Sequence, residues 1–296
     1  GEFSRVAPKS GDGARGPGSR LWFSPSLNMF RETAPPTTRG GIVAEEMGLG
    51  KTVISLALVL LNRPPPLASP PSAADLATWG EPPIPATVAI APLRRVLSRA
   101  TLVVCPVSLV GQWVDEARDK LVFDGSERLD VYQYYGGNRT DDPRKLADHD
   151  IVVTTFHVLA SDLNARSNKA KAAAAGGDYV PICEQVCWWR IILDESHNIK
   201  GETANARASR NLHSHRRWCV TGTPANTSLD DLRQQLAFCG LAPFETDSQA
   251  FKDNFSEPHA AAGRRSNLNR FPIGLLPLLR RTVMRHAKDM RFITAD

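Results

Sequence analysis

The sequence lacks any segment that could cross a membrane. No uninterrupted apolar run in its 296 residues reaches the roughly 18 residues that a membrane helix needs. The chain has no basic start followed by an apolar stretch, so we expect no secretory signal. Its first three residues, Gly-Glu-Phe, resemble a cloning scar and are left out of the fold prediction. We therefore expect no membrane partner.

Cysteine is scarce and irregularly spaced. The five thiols follow no framework of the kind found in small secreted domains; they are Cys105, Cys183, Cys187, Cys219 and Cys239. Cys183 and Cys187 lie close together, but no second Cys or His pair completes a zinc site. The pattern favours reduced thiols inside a cell, and we expect no zinc.

Disorder over the whole chain is excluded by composition, because 42% of the residues are hydrophobic and 23% are charged. The net charge of +5 arises in residues 201–296, which hold 14 basic and nine acidic side chains. A basic C-terminal third favours a polyanion partner, although a solubilising surface explains the same charge.

Composition divides the chain into a leader, a lobe and an extension. Residues 1–38 are rich in Gly, Ser, Pro and Arg, which predicts a flexible leader. Residues 39–243 are predicted to form one lobe, with insertions at 64–93, where nine prolines lie, and at 161–187. Residues 244–296 are predicted to be a helical, basic extension.

Short apolar runs alternate with helical patterns through the predicted lobe. The runs are continuously apolar, which is typical of a parallel sheet buried on both faces, so we predict an α/β fold. Strands are predicted at 40–44, 101–105, 130–135, 151–156, 190–193 and 217–221. Helices are predicted at 52–61, 109–122, 229–239 and 275–286. The first of these helices is apolar all round, which predicts burial on every side.

A glycine-rich loop follows the first strand of the lobe and opens its first helix. Residues 45–52 read Glu-Glu-Met-Gly-Leu-Gly-Lys-Thr, and such a loop brings backbone N–H groups and a helix N-terminus to phosphate oxygens. Lys51 would reach the β- and γ-phosphates, and the Thr52 hydroxyl would bind Mg²⁺. The strict pattern has Gly where Glu45 stands, and a glycine turn that caps a helix is the alternative. The candidate nucleotide-binding residues are Glu46, Met47, Gly48, Leu49, Gly50, Lys51 and Thr52.

Two adjacent carboxylates follow the apolar strand predicted at 190–193. Asp194 can hold a metal ion, and Glu195 can orient and deprotonate a water molecule that attacks the γ-phosphate. A solvated strand end is the alternative for the pair. His197 would relay the state of the nucleotide to a neighbouring motif, although a single histidine also fits a structural role.

Small hydroxyl residues follow the next predicted strand. Thr221, Gly222 and Thr223 precede a proline and would couple the nucleotide site to another surface, although the same string also makes an ordinary turn. Ligands of parallel sheets bind at the carboxyl ends of the strands, where all three of these motifs fall.

Together the three motifs resemble helicase motifs I, II and III of the Swi/Snf-type DNA-dependent ATPases, in helicase superfamily 2. The resemblance covers about residues 38–290 and includes the segments at 101–113, 135–139, 151–156 and 283–288. The loop before the second strand and the His after Arg285 resemble the branch of the helicase-like transcription factor and RING-bearing repair translocases.

The resemblance implies one RecA-like P-loop NTPase lobe that uses ATP and Mg²⁺, with Lys51, Asp194 and Glu195 as catalytic residues. It implies metal binding by Thr52 and Asp194, and coupling through His197, Thr221, Gly222 and Thr223. Groups at matching motif positions would contact the DNA backbone; they are Ser108, Gln112, Gly137, Arg139, Thr154, Thr155 and Arg285. A downstream basic cluster would add to them, at Arg264, Arg265, Arg270, Arg280, Arg281 and Lys288.

The family pattern is incomplete in this sequence. A glutamine motif is not recognisable in residues 1–39, and motifs IV to VI and a RING finger are missing. The implied partners are double-stranded or nucleosomal DNA and a second RecA-like lobe of the same parent chain, in the nucleus. We predict half of an ATP-dependent double-stranded DNA translocase of chromatin remodelling or DNA repair, with little turnover alone. A strand-separating helicase and a non-hydrolysing, nucleotide-dependent scaffold are the alternatives.

Overall fold

The computed structural model describes residues 4–6, 21–24, 29–31, 39–64, 95–119, 122–123, 127–166, 179–225, 228–241, 244, 248–255 and 275–288. The insertion predicted at 64–93 lies outside these residues apart from Pro64, as do Arg264, Arg265 and Arg270 of the predicted basic cluster.

The strands of the described residues are short. They are β1 (Ser4–Val6), β2 (Leu21–Ser24), β3 (Met29–Arg31), β4 (Gly40–Val43), β5 (Val96–Leu97), β6 (Thr101–Cys105), β7 (Val122–Phe123), β8 (Glu127–Arg128), β9 (Val131–Gln133), β10 (Ile151–Thr155), β11 (Val186–Trp188), β12 (Arg190–Asp194), β13 (His213–Ser214), β14 (Arg217–Val220) and β15 (Val283–Met284).

The helices follow the strands along the chain. They are α1 (Lys51–Leu61), α2 (Val110–Asp119), α3 (Pro143–Ala147), α4 (Phe156–Arg166), α5 (Ala204–Asn211), α6 (Leu229–Phe238), α7 (Ser248–Phe255) and α8 (Leu275–Thr282). None of these described helices is long and apolar enough to span a membrane.

A seven-stranded sheet forms the centre of the lobe, in the order β15-β4-β14-β12-β6-β10-β9. Every neighbouring pair in it is parallel. The predicted α/β fold with a parallel central sheet is therefore confirmed. Since all seven strands run the same way, their carboxyl ends meet at one edge, where parallel sheets bind ligands.

Apolar side chains leave the sheet on both faces. Leu102 and Ile191 point to the face that α4, α5, α6 and α8 cover, whereas Val103 and Ile192 point to the face that α1 and α2 cover. All four side chains have no exposed surface. Burial on both faces explains why the strands read as continuous apolar runs.

Smaller sheets flank the central one. Strands β1, β2 and β3 form an antiparallel sheet in the leader, for which the sequence predicted no strand. Strands β13, β11 and β5 form a parallel sheet in which β11 lies between the other two. Trp188 and Trp189 are 0% and 3% exposed, so both belong to the core.

Several predicted boundaries are wrong. The helix predicted at 275–286 ends at Thr282, because Val283 and Met284 pair with β4 at the edge of the central sheet. The helix predicted at 109–122 ends at Asp119. The insertion predicted at 161–187 is too long, because its first residues continue α4 to Arg166 and its last residues belong to β11. The first of these errors arises because pairing with a distant strand decides the structure of Val283 and Met284.

The prediction that the first helix is buried on every side is also wrong. Ser55, Leu56 and Val59 of α1 are buried, but Val53 is 50% exposed and Leu61 is 85% exposed. The buried residues recur at helical spacing and face the sheet, so α1 covers the sheet with one stripe only.

Candidate functional site

The phosphate loop connects β4 to α1 at the carboxyl edge of the sheet. Gly48 has a φ of 87° and Gly50 a φ of 77°, and this left-handed conformation is strained for any residue with a side chain. Gly50 also caps α1, so the loop delivers the free N–H groups and the positive end of the helix dipole to one place. The predicted position of this loop, between the first strand and the first helix of the lobe, is confirmed.

Lys51 is the first residue of α1 and turns back toward the loop. Its Nζ lies 3.5 Å from the carbonyl oxygen of Glu45. A Cβ placed on Gly222 would lie 3.6 Å from the same Nζ. The ammonium group therefore lies between the phosphate loop and the turn after β14, and Gly222 leaves room for it. The neighbouring Thr52 is half-buried in the first turn of α1.

Asp194 ends β12, two strands from β4 in the sheet, and is 5% exposed. Its Oδ2 accepts a hydrogen bond of 2.7 Å from the indole N–H of Trp113, which is itself 1% exposed. Burial raises the pKa of the Asp194 carboxyl, and the charge of Glu195 adds to the rise, whereas Trp113 and Lys51 act against it. The Trp113 hydrogen bond thus fixes the orientation of a nearly buried carboxylate, as outer-shell partners do for metal ligands.

Glu195 has a φ of 51°, and it is the one residue other than glycine with a positive φ among those described. This conformation costs free energy and turns the chain sharply at the end of β12. The turn is held by the Asn198 side chain, which donates to the carbonyl of Glu195 at 2.8 Å. The two acidic side chains have different partners: Asp194 bonds to Trp113, and Glu195 lies beside His197.

His197 connects the acidic pair to the next motif. Its Nδ1 lies 3.1 Å from Oε2 of Glu195 and 3.3 Å from Oγ1 of Thr221. Thr221 is fully buried, and its Oγ1 also accepts the N–H of Thr223 at 3.2 Å. The residues predicted to couple motifs II and III are therefore in contact through this histidine.

Gln235 of α6 forms hydrogen bonds to both of these segments, the one after β12 and the one after β14. Its side chain accepts a hydrogen bond from Ser196 at 2.9 Å and donates to the carbonyl of Pro224 at 2.6 Å. Gln235 is fully buried. Sequence analysis missed it because a glutamine in an amphipathic helix gives no signal until the helix is docked on the sheet.

Trp113 and Glu45 were also missed as site residues. The indole N–H of Trp113 reaches Asp194, although the segment 109–122 that contains Trp113 was predicted only as a helix. Glu45, noted as a departure from the phosphate-loop pattern, is 1% exposed and lies against His286, with its Oε1 2.8 Å from the ring Nδ1. The sequence did contain a signal for this contact, because Glu45 places a charged residue where the phosphate-loop pattern has glycine.

The residues expected to contact DNA are divided between the surface and the interior. Ser108, Gln112 and Gly137 are exposed at the carboxyl ends of β6 and β9, next to the nucleotide half of the edge. Thr154 and Thr155 are buried, and their hydroxyls bond to the carbonyl of Tyr134 and the N–H of Val158. These two threonines hold the strand end in place below the surface.

The two predicted arginines both have partners within the lobe. Arg139 forms an ion pair with Asp162, and its guanidinium lies 5.4 Å from the centre of the Tyr134 ring. Arg285 lies at the nucleotide half instead, where its Nη1 donates to the carbonyl of Ala44 at 2.9 Å. Among the residues that the structure describes, no group of three or more His, Cys, Asp or Glu could hold a metal ion.

The sheet order, the glycine loop and the buried acid at the end of β12 define a RecA-like P-loop NTPase lobe. The family model described as the SNF2-related domain matches residues 23–291, so the chain belongs to this family. The resemblance inferred from the motifs is confirmed.

Curated relatives are DNA repair and helicase-like proteins. DNA repair protein RAD5B of Arabidopsis thaliana is 36% identical over 225 residues, which cover 75% of this chain and 16% of that protein. The human helicase-like transcription factor is 36% identical over 147 residues, which cover 49% of this chain and 13% of that protein. The chain therefore spans a small part of the length of such relatives.

A solved structure shares the fold. The Sulfolobus solfataricus SWI2/SNF2 ATPase core in complex with dsDNA has a TM-score of 0.54 and 24% sequence identity. The match covers 85% of this chain and 41% of that chain.

Proposed function

We propose that this chain is the ATP-binding half of an ATP-dependent double-stranded DNA translocase that acts in chromatin remodelling or DNA repair in the nucleus. The observation that supports the proposal most directly is the convergence of three strand ends on Lys51. The phosphate loop after β4 and the Gly222 turn after β14 lie beside it, and its charge acts to lower the pKa of Asp194 at the end of β12.

The residues present fit a magnesium nucleotide. Two left-handed glycines leave the loop backbone open, and the loop ends in a cation and a helix N-terminus. Thr52 and Asp194 supply the oxygen ligands that Mg²⁺ prefers, and Trp113 orients the carboxylate. When bound, the metal ion would neutralise phosphate charge.

Each side chain then has one role. Lys51 would bind the β- and γ-phosphate oxygens, and Thr52 with Asp194 would hold the metal ion. Glu195 would accept the proton of the attacking water, and His197 would carry its position to Thr221. A second RecA-like lobe would complete the site, so the chain alone would turn over slowly.

The DNA would lie beside the nucleotide half of the edge, on the ends of β6, β9 and β10. Exposed Ser108, Gln112 and Gly137 there offer hydroxyl, amide and backbone donors to phosphates without reading bases. The related archaeal ATPase core forms a complex with dsDNA, which supports this assignment. Double-stranded or nucleosomal DNA is the proposed substrate.

Nucleotide binding is tested by Lys51→Ala. Calorimetry should detect MgADP binding to the wild-type chain and none to the variant, because a point charge on the phosphates is lost. Lys252→Ala is the matched control, since Lys252 is an exposed lysine of α7 and its loss should leave affinity unchanged. Equal affinity of the wild type and Lys51→Ala would contradict the proposal.

Hydrolysis is tested by Glu195→Gln in a protein that carries this lobe together with a second RecA-like lobe. The variant should bind ATP and DNA but lose about 10²–10⁴-fold in DNA-stimulated rate, as is typical when a general base is removed. A strand-separating helicase would also unwind a forked duplex. A non-hydrolysing scaffold would show no difference between Glu195→Gln and the wild type.

A further inference from the structure

The segment after α8 lies along the phosphate loop. This docked segment, residues 283–288, begins as β15 beside β4 and continues past the end of the sheet. The carbonyl of Met284 accepts the N–H of Ala44 at 2.8 Å, and the carbonyl of His286 accepts the N–H of Glu46 at 3.3 Å. The N–H of Lys288 donates to Oε2 of Glu46 at 2.8 Å. Backbone pairing thus extends from the sheet into the loop.

Glu45 gives the loop a buried charge that the docked segment satisfies. Its carboxylate is 2% exposed, and both of its described hydrogen bonds come from His286. One oxygen accepts the backbone N–H of His286 at 3.0 Å, and the other lies 2.8 Å from the ring Nδ1. An unpaired buried carboxylate is costly, so the loop keeps this shape only while the segment stays docked.

Arg285 joins the docked segment to a second motif of the site. Its Nη1 donates to the carbonyl of Ala44 at 2.9 Å and to the carbonyl of Gly222 at 3.3 Å. The same Gly222 leaves the space in which Lys51 Nζ lies. The Arg285 guanidinium therefore connects the start of the phosphate loop to the Gly222 turn, and Lys51 Nζ lies between these two segments.

Glycine at position 41 permits this docking. A Cβ on Gly41 would lie 2.7 Å from the carbonyl oxygen of Thr282, which is closer than real Cβ contacts. The backbone at the start of the docked segment can therefore approach β4 only because position 41 has no side chain. The Gly-Gly pair at the start of β4 thus has a packing reason outside the nucleotide loop.

We propose that the docked segment positions the phosphate loop and that nucleotide binding and docking of residues 283–288 stabilise each other. Glu45, Arg285 and His286 are the positioning residues, and they act on phosphate through the loop backbone and Lys51. The proposal builds on the proposed function, since it requires that the loop bind a nucleotide. Coupling between two such sites is reciprocal, so it is measurable from either side.

Amide hydrogen exchange tests the effect of nucleotide on the segment. Saturating MgADP should slow exchange of the backbone amides of His286 and Lys288 by about fivefold or more, the lower end of typical coupling. The amide of Leu146 in α3 is the internal control, because α3 packs against β5 and β11 of the small parallel sheet and should not respond. MgADP binding without any change in exchange at 286 and 288 would overturn the coupling.

Calorimetry tests the effect of the segment on nucleotide. His286→Ala and Arg285→Ala should each weaken MgADP binding by about tenfold, as expected for the loss of a hydrogen bond to a charged group or a shared donor. His286→Gln restores a side-chain donor and should recover most of the affinity, and Arg207→Ala removes an exposed charge of α5 as the control. Thermal unfolding would verify that each variant is folded.

The outcomes separate the two proposals. If the wild type binds MgADP and both Ala variants bind equally well, the docked segment has no positioning role and nucleotide binding stands. If the affinity falls but His286→Gln does not recover it, the side-chain contact to Glu45 is not the cause. If the wild type does not bind MgADP at all, the proposed function fails and the coupling fails with it.

Discussion

At the scale of single residues, the orientation of Asp194 depends on Trp113. The indole N–H is buried and donates to a carboxylate that is almost fully buried, so neither group can turn to water instead. Trp113 directly follows Gln112, which lies on the surface proposed for DNA. One side chain therefore links the proposed metal ligand to the proposed DNA surface.

Trp113→Phe should raise the Mg²⁺ concentration needed for MgADP binding by about tenfold or more, because a hydrogen bond to a charged group contributes about 1.5–3 kcal/mol. The ring remains to fill the core, so the effect should come mainly from the lost donor. Calorimetry of ADP binding at a series of Mg²⁺ concentrations measures it.

Trp188→Phe is the control for Trp113→Phe. Trp188 is equally buried, and its indole N–H donates to the carbonyl of Cys183 at 3.0 Å, away from the nucleotide site. The control should lower thermal stability but leave the Mg²⁺ dependence unchanged. If both variants shift the Mg²⁺ dependence by the same amount, the effect is general destabilisation and Trp113 has no specific role.

At the scale of elements, α1 shows how one helix can present a core stripe and an open face. Leu56 is 1% exposed and packs with Val43, Val103 and Val220 of the sheet, whereas Val53 is 50% exposed three residues earlier. The two positions therefore provide a matched pair in the same helix, close to the same phosphate loop.

Leu56→Ala should lower the free energy of unfolding by about 2–5 kcal/mol, because the transfer free energy of the side chain is lost and a cavity remains. Val53→Ala should change it by less than about 0.5 kcal/mol, as is usual for surface positions. Urea denaturation of both variants measures the difference. Equal losses would mean that Val53 is covered in solution.

Some elements could be predicted from their local sequence, and others could not. The strands that begin at Thr101, Ile151 and Arg217 were predicted closely, because each is an apolar run with polar or turn residues at its end. Leu275–Thr282 and β15 were predicted as one helix, because nothing in Val283 and Met284 themselves opposes a helix. Their strand pairing comes from β4, which is more than 200 residues away in the sequence.

The candidate site follows the same division. Lys51, Asp194 and His197 were predicted from motifs, because the chemistry of phosphate and metal binding restricts the residue types at a strand end. Glu45 and Gln235 were not, because their partners His286 and Ser196 are known only once the chain is folded. The burial of Thr154 and Thr155 was likewise invisible, since a hydroxyl at a strand end fits both surface and interior.

At the scale of the whole molecule, one edge of the sheet serves two proposed ligands. The ends of β4, β14 and β12 form the nucleotide half, and the ends of β6, β10 and β9 form the half proposed for DNA. The two halves meet between β12 and β6, where Asp194 and the start of α2 are joined by the Trp113 hydrogen bond. A shared rigid sheet explains how occupation of one half could affect the other.

Binding of DNA at this half of the edge predicts how the affinity for duplex DNA depends on salt concentration. If exposed donors and cations there contact backbone phosphates, log affinity for duplex DNA should fall linearly with log salt, with a slope of about −0.9 per phosphate neutralised. Two unrelated duplexes should bind alike, because no base is read. Salt titrations by fluorescence anisotropy on both duplexes measure the slope and the sequence preference.

Arg139→Ala sharpens the test, because Arg139 is 37% exposed at its side chain and must leave or share its ion pair with Asp162 to reach a phosphate. If it makes one phosphate contact, the variant should weaken binding to both duplexes equally and reduce the slope by about 1. Arg128→Ala is the matched control. Arg128 is exposed and precedes the amino end of β9, whereas the surface proposed for DNA lies at the carboxyl ends of the strands. An unchanged slope in Arg139→Ala would mean that its ion pair is purely structural. A flat salt response of the wild type would show that this half of the edge is not a backbone-tracking surface.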